Sequence, residues 1–396
     1  MKRTATLTLL LAVAVISGCE EPGLQRAEAY KRYHETRSLM VYGVATECFK
    51  VGDLDKAYAN TVQAIGLDEN YVPARVLLAK VLLERARYTR ALKELDKAEK
   101  LAPGSAEVVF LRGVAFEKLR QFPEALKCYQ KARVLDEENA NYVTASAEVL
   151  VSMGKSRSAL ELLKTRLSRD DTDQTTLALA GELAMLVGEP AEAAEFFQHC
   201  LDGDPQNLTV REELARAHFL AGNYVEALAV LEKLAAHPVY RDKVAWVRIM
   251  MGNSYLALKR PRQARDAYRT ATVIEPEEPR AWSSLAKATM ALGDLTGTVR
   301  AARRALDVGG ECLEATTLLG YALLRQGRAA EAKRLLAGAV ASYPKDPVLL
   351  CTLGRCYEAL GRDDQAVACY ENVLQSHPDH TLAKALAGKH DQTAKK

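Results

Sequence analysis

The chain has 396 residues, with 54 Lys and Arg against 51 Asp and Glu, few aromatics, and an abundance of Ala, Leu, Glu, Lys and Arg. A formal charge of +3 excludes the strongly basic surface that nucleic-acid binding requires. The composition is that of a helical protein, and the length suggests two or three globular domains unless the chain is built by repetition, where each unit packs only on its neighbours.

Residues 1–18 read as a processing signal. Met1-Lys2-Arg3 is a short basic start, and Ala5 to Ile16 is a twelve-residue run without charge, too short to span a bilayer comfortably. Ile16-Ser17-Gly18-Cys19 follows: a branched apolar residue, two small residues, then Cys. This resembles the lipobox of bacterial lipoproteins. The resemblance implies cleavage before Cys19, a diacylglyceryl group on its thiol and acylation of the new amine. More than one acyl chain gives stable anchoring. Asp after the Cys would resemble an inner-membrane retention signal; Glu20 stands there, which favours the outer membrane, facing the periplasm. Without Lys2 and Arg3, 52 basic side chains remain against 51 acidic ones, so electrostatic steering toward DNA or an anionic membrane is not expected. Residues 19–37 read as a short tether with a break at Pro22-Gly23, then a polar leading helix from Leu24 to Arg37.

From Ser38 the chain repeats every 34 residues. Repeats begin at Ser38, Val72, Ala106, Ala140, Gln174 and Leu208, spanning 38–241. Three extra residues, Asp242 to Val244, intervene before repeats at Ala245, Pro279, Leu313 and Pro347, which end at His380. The eighth position is Ala or Gly in all ten, and the twentieth is Ala in all but one, where Thr298 stands. Small residues there let two helices approach closely. Gly recurs at position 15 (Gly52, Gly154, Gly188, Gly222, Gly293, Gly327, Gly361), where a first helix must end, and Pro at position 32 (Pro103, Pro205, Pro276, Pro344, Pro378), where a second must stop. Arg166 in the fourth repeat and Thr298, Gly309 and Gly310 in the eighth depart from the pattern and read as drift; the three-residue insertion is the better hinge candidate. Thr381 to His390 reads as a capping helix, and the residues after it as a disordered tail.

The pattern resembles the tetratricopeptide repeat family: small residues at 8 and 20, Tyr or Leu at 11, an aromatic or Leu at 24, Pro at 32. The resemblance implies an all-α, right-handed superhelical solenoid of about ten helix hairpins with a C-terminal capping helix. It also implies that ligands bind a concave groove lined by the first helices. Carried over by position, the candidate groove residues are Tyr42, Lys80, Phe110, Glu148, Glu182, Glu212, Arg216, Trp246, Asn253, Arg280, Lys287, Tyr321 and Arg355. Glu148, Glu182 and Glu212 form an acidic middle zone; Arg216, Lys287 and Arg355, with Trp246, Arg280 and Tyr321, form a zone suited to holding an extended peptide. The carboxylate-clamp pattern of some members is not present, since only Asn253 fits it, with Ile249 and Ser284 in the other places.

Catalytic motifs are wanting. Gly154-Lys155-Ser156 imitates the end of a phosphate loop, but Val149 occupies the place of the required first Gly; Ser152 to Lys155 imitates S-x-x-K without its supporting motifs. His377 and His380 are the only His pair close enough to chelate and sit in an inter-repeat turn. No C-x-x-C occurs among the eight cysteines; Cys356 and Cys369 could pair, while buried fillers are the simpler reading. The expectation is a non-enzymatic scaffold without metal or cofactor, anchored through Cys19 and gathering proteins of a bacterial envelope assembly (pilus, secretion, polysaccharide export or outer-membrane biogenesis). The alternative is an adaptor that recruits or regulates a periplasmic protease or cell-wall hydrolase.

Overall fold

The computed structural model describes residues 22–167, 173–241 and 243–393. The signal segment, Cys19, Asp242 and residues 394–396 lie outside them. Among the described residues the chain is all-α. Two compact bodies form, one ending at Val187 and the other beginning at Gly188. The division falls inside the fifth repeat, between its two helices.

The N-terminal body holds α1 (Pro22–Lys50), α2 (Leu54–Leu67), α3 (Val72–Glu84), α4 (Tyr88–Leu101), α5 (Ala106–Lys118), α6 (Phe122–Leu135), α7 (Ala140–Ser152), α8 (Ser156–Leu167) and α9 (Gln174–Val187). The C-terminal body holds α10 (Pro190–Gly203), α11 (Leu208–Leu220), α12 (Tyr224–Ala236), α13 (Ala245–Ala257), α14 (Pro261–Ile274), α15 (Pro279–Ala291), α16 (Leu295–Gly309), α17 (Leu313–Arg325), α18 (Ala329–Ala339), α19 (Pro347–Ala359), α20 (Asp363–Ser376) and α21 (Thr381–Thr393). Within each body, consecutive helices pack as antiparallel hairpins.

The small residues explain the close packing. Ala45, Ala57, Ala79, Ala91, Ala125 and Ala159 are fully buried in the first body, as are Ala215, Ala227, Ala264, Ala286, Ala332 and Ala366 in the second. Where position 8 is Gly, a ring takes the space: a Cβ on Gly113, Gly252 or Gly354 would lie 2.4 Å from the ring of Tyr129, Tyr268 or Tyr370. In the ninth repeat, Leu336 fills the same place against Gly320. Thr298, in place of Ala, is buried, donates to the Asp294 carbonyl at 2.8 Å and meets the Thr289 hydroxyl at 3.1 Å. A buried hydroxyl is tolerated there because it is hydrogen-bonded.

The turn inside each hairpin keeps one backbone conformation whatever its residue. Seven glycines at position 15 have φ between +67° (Gly361) and +82° (Gly188), and the three repeats lacking Gly place Ala86 (φ 55°), Arg120 (φ 59°) and Lys259 (φ 57°) in the same left-handed region. The eighth repeat closes differently. Gly310 is left-handed at +70°, and Gly309 packs so tightly that a Cβ would lie 2.6 Å from Pro279. These glycines serve the connection and are not drift.

Adjacent repeats are strapped by exposed ion pairs. Lys80 reaches Glu107 at 2.7 Å in the first body, and Lys287 reaches Glu314 at 3.0 Å in the second. Both join position 9 of one repeat to position 2 of the next. Arg304 and Glu277, 2.7 Å apart, add another strap.

Two readings of the ends need correction. Pro22 and Gly23 do not break the leader; they are the first residues of α1, where Pro lacks only a hydrogen bond that the first turn would not make. The leader is continuous with the first repeat, and it is not polar all round: Tyr30 and Tyr33 project into solvent. At the other end α21 runs past His390 to Thr393. His390 is docked, its ring stacked 6.4 Å from Tyr370 and its Nε2 2.8 Å from Glu358.

Candidate functional site

In the N-terminal body the candidate residues divide between packing and surface. Tyr42 meets Tyr71 edge-on at 5.3 Å. Phe110 belongs to the interior, its ring 5.3 Å from Tyr129 and 5.0 Å from Tyr142. Lys80 is held by Glu107. Glu148 and Glu182 do come together, lining a cleft of about 360 Å³ between α7 and α9 with Val151, Leu179, Leu183 and Leu186. Burial, and then the Glu117 charge, push the Glu148 carboxyl above the usual range. Among the described residues no basic side chain reaches salt-bridge distance of either carboxylate.

The C-terminal body gathers more of the candidates. Its cleft, about 470 Å³, is bounded by Arg216 from α11, by Trp246, Ile249, Met250 and Asn253 from α13, and by Arg280 from α15. The preceding connection positions its aromatic wall. Tyr240 is buried and its hydroxyl donates to the Glu212 carboxylate, 28 residues earlier. Its ring stands at 89° to that of Trp246, with centroids 6.2 Å apart. The segment around the insertion is therefore fastened at Tyr240, and Glu212 is spent on this fastening instead of joining the acidic zone; Asp242 itself lies outside the described residues.

Glu275 and Glu278 also line this cleft, but both carboxylates serve the backbone. Glu275 accepts from the Ala245 N–H at 2.8 Å, and Glu278 accepts from the Arg280 N–H at 3.0 Å. Asn253 uses its oxygen to accept from the Tyr268 hydroxyl at 2.7 Å, leaving its NH₂ as a donor. The Arg280 guanidinium and the Trp246 indole N–H have no hydrogen-bond partner among the described residues. Arg216 is tied only to Glu213 at 2.9 Å, an exposed pair three residues apart and weak for that reason. Two guanidiniums, an amide and an indole thus offer donors beside the apolar wall of Trp246, Ile249 and Met250.

The remaining candidates lie farther along the first helices. Lys287 is engaged with Glu314. Tyr321 accepts from Arg325 at 3.0 Å; that bond first, and then the charges of Arg325 and Arg355, hold its phenol below the ordinary range. The position-by-position reading missed Val244, Met250, Glu275 and Glu278. The two glutamates flank Pro276 and Pro279 in the inter-repeat turn, which is the signal that could have found them.

Among the described residues there is no cluster of three His, Cys, Asp or Glu able to hold a metal. His380 instead caps α21, its Nδ1 accepting from the Ala383 N–H at 3.1 Å. Cys356 and Cys369 are not joined to each other and are free thiols. Burial pushes the thiols of Cys351 and Cys356 up to about 11. No described helix is long and apolar enough to cross a membrane.

Comparison with known proteins agrees with this architecture. Tetratricopeptide repeat models match residues 76–140, 184–238, 249–297, 290–347 and 323–389, more than half of the chain. Among curated relatives, the Arabidopsis thaliana "Protein CTR9 homolog" is 25% identical over 252 residues, covering 63% of this chain and 22% of that protein. The Bacillus subtilis "TPR repeat-containing protein YpiA" is 22% identical over 171 residues, covering 42% of this chain and 40% of that one. The chain thus spans well under two thirds of these relatives. Of solved structures, the APC/C hetero-tetramer Cut9-Hcn1 aligns over 91% of this chain and 84% of its own at 16% identity and a TM-score of 0.39. A tetratricopeptide repeat protein from Parabacteroides merdae aligns over 64% and 98% at 16% identity and a TM-score of 0.41. With ten repeats of one hairpin and family models covering most of them, the chain belongs to the tetratricopeptide repeat family.

Proposed function

We propose that the protein is a non-catalytic scaffold that binds other proteins through the first helices of its repeats, with the cleft at Trp246 as the main contact. The donor-rich lining supports this reading most directly. Arg216, Arg280, Asn253 and Trp246 present hydrogen-bond donors, while the Glu275 and Glu278 carboxylates each hold a backbone N–H with one oxygen. The fitting partner is an extended segment that sets an acidic side chain beside a large apolar one, so that charge-assisted bonds and aromatic contact act together.

The scaffold is proposed to sit at a bacterial envelope, anchored by lipid on Cys19 and facing the periplasm, in an assembly machine. The sequence Ile16-Ser17-Gly18-Cys19 supports this placement. Cys19→Ala should release the protein from membranes with its helicity unchanged; continued membrane pelleting removes the lipid anchor from the proposal. For the groove, a photo-crosslinker placed at Ile249 in living cells should trap a defined protein partner. Arg216→Glu with Arg280→Glu should abolish the adduct while circular dichroism stays constant. Crosslinking that survives both reversals places the partner elsewhere.

A further inference from the structure

The geometry points to a second binding surface, on α1, that takes another copy of this chain in antiparallel register. Helix α1 carries an uncovered apolar stripe. Tyr30, Tyr33, Met40, Val44 and Val51 are between 54% and 78% exposed. Val51 continues the helical turn, its N–H bonding the Glu47 carbonyl at 3.1 Å. The other large exposed apolar side chains among the described residues, Leu39 on a different side of α1 included, do not line up in this way. Those of the stripe fall on one line, at 30, 33, 40, 44 and 51, a spacing of alternating threes and fours with 37 and 47 filling the gaps. That spacing is the seam of a paired helix. The buried side of α1, at Ser38 and Ala45, lies on another face, so the stripe is free of α2.

Positions 37 and 47 decide what covers the stripe. They are Arg37 and Glu47, the charges on an otherwise apolar seam. A parallel copy would stack Arg37 on Arg37 and Glu47 on Glu47, which is repulsive. An antiparallel copy centred on position 42 sets Arg37 against Glu47 twice, once from each chain. The same register sets Met40 against Val44 and Tyr33 against Val51. One twofold axis therefore satisfies every seam position from 33 to 51, as a self-complementary interface must. Glu47 is held only by Lys50 three residues on, at 2.9 Å and in the open, and can be recruited at little cost. The paired stretch from Tyr33 to Val51 is about 27 Å long at 1.5 Å per residue, with Tyr30 just beyond its end.

The test is a charge swap on the full chain in detergent, with energy transfer between two differently labelled populations as the readout of self-association. The unchanged chain should associate in a concentration-dependent way. Arg37→Glu alone and Glu47→Arg alone should each weaken association by about tenfold or more, since each sets like charges together. Arg37→Glu combined with Glu47→Arg should restore it to within about threefold of the starting value, because the pair is re-formed with its signs exchanged. The stripe is exposed, so all three variants should keep the helicity of the parent. A chain that shows no energy transfer at any concentration overturns the inference. So does a double variant as weak as the singles. Self-association unmoved by either single swap also overturns it.

Discussion

The hydroxyl of Tyr240 donates to the carboxylate of Glu212, joining the connection before α13 to the second turn of α11. This bond fastens the longest connection among the described repeats and stands the Tyr240 ring against Trp246. Tyr240→Phe keeps the ring and removes the bond to a charged acceptor, a loss of about 1.5–3 kcal/mol. A repeat array loosens locally before it unfolds, so the expected readout is faster hydrogen exchange at residues 237–246, with amides of α17 to α20 unaffected.

The left-handed turns give a sharper expectation. Ala86, Arg120 and Lys259 hold a conformation that seven other repeats assign to Gly. A side chain there costs about 1–2 kcal/mol. Replacing any of the three with Gly should raise stability by about 1 kcal/mol after the entropy of the freer chain is subtracted. Gly222→Ala should lower it by a similar amount, and urea denaturation of the four variants checks both signs.

The contacts between position 8 and position 24 predict opposite effects for one kind of substitution. Gly113→Ala, Gly252→Ala or Gly354→Ala drives a methyl into a buried Tyr ring, and should cost about 1–3 kcal/mol. Gly66, within α2, has nothing within 4 Å of where its Cβ would stand. Gly66→Ala should therefore stabilise by about 0.5 kcal/mol.

Alkali should unfold the array through its tyrosines. Burial, first of all, raises the phenols of Tyr129, Tyr240, Tyr268 and Tyr370 above the ordinary 10.0, Tyr240 to about 12. The folded state holds these protons more tightly than the unfolded one. Their contribution is therefore complete below pH 10 and is lost as pH rises through the folded values. Followed together, phenolate absorbance and ellipticity should show these four phenols ionising only as helix is lost. Ionisation of all of them near pH 10 with helix intact would contradict the burial described for these rings.

The hairpins were legible because their determinants are local: a small residue at Ala79 or Gly113, a glycine turn at Gly52, a proline stop at Pro276. Each acts within a few residues of its own position, and the 34-residue spacing repeats the message. The candidate cleft was legible in part. Arg216, Trp246, Asn253 and Arg280 were reachable by position, because the first helices present the same faces in every repeat. What position could not supply was which charges are already spent. Lys80 and Lys287 look available on their own helices and are claimed by Glu107 and Glu314 of the next repeat. Glu212 is claimed by a tyrosine 28 residues away. The face of α1 was hidden for a related reason: Tyr30, Tyr33 and Met40 stand among charged neighbours, and only the placement of α2 shows that nothing covers them.

The straps between repeats also bear on how the molecule deforms. Lys80 to Glu107 and Lys287 to Glu314 lie in the open, so each adds less than about 1 kcal/mol of cohesion. They act less as glue than as light springs, drawn out when neighbouring hairpins swing apart. Their tension depends on ionic strength, since charges in water feel one another over only about 10 Å at 0.1 M salt. The alanine contacts beneath them do not share that dependence. Added salt should therefore soften the bending of each body well before any hairpin melts, and the spacing of neighbouring hairpins within a body becomes a mechanical quantity set by the ions around it.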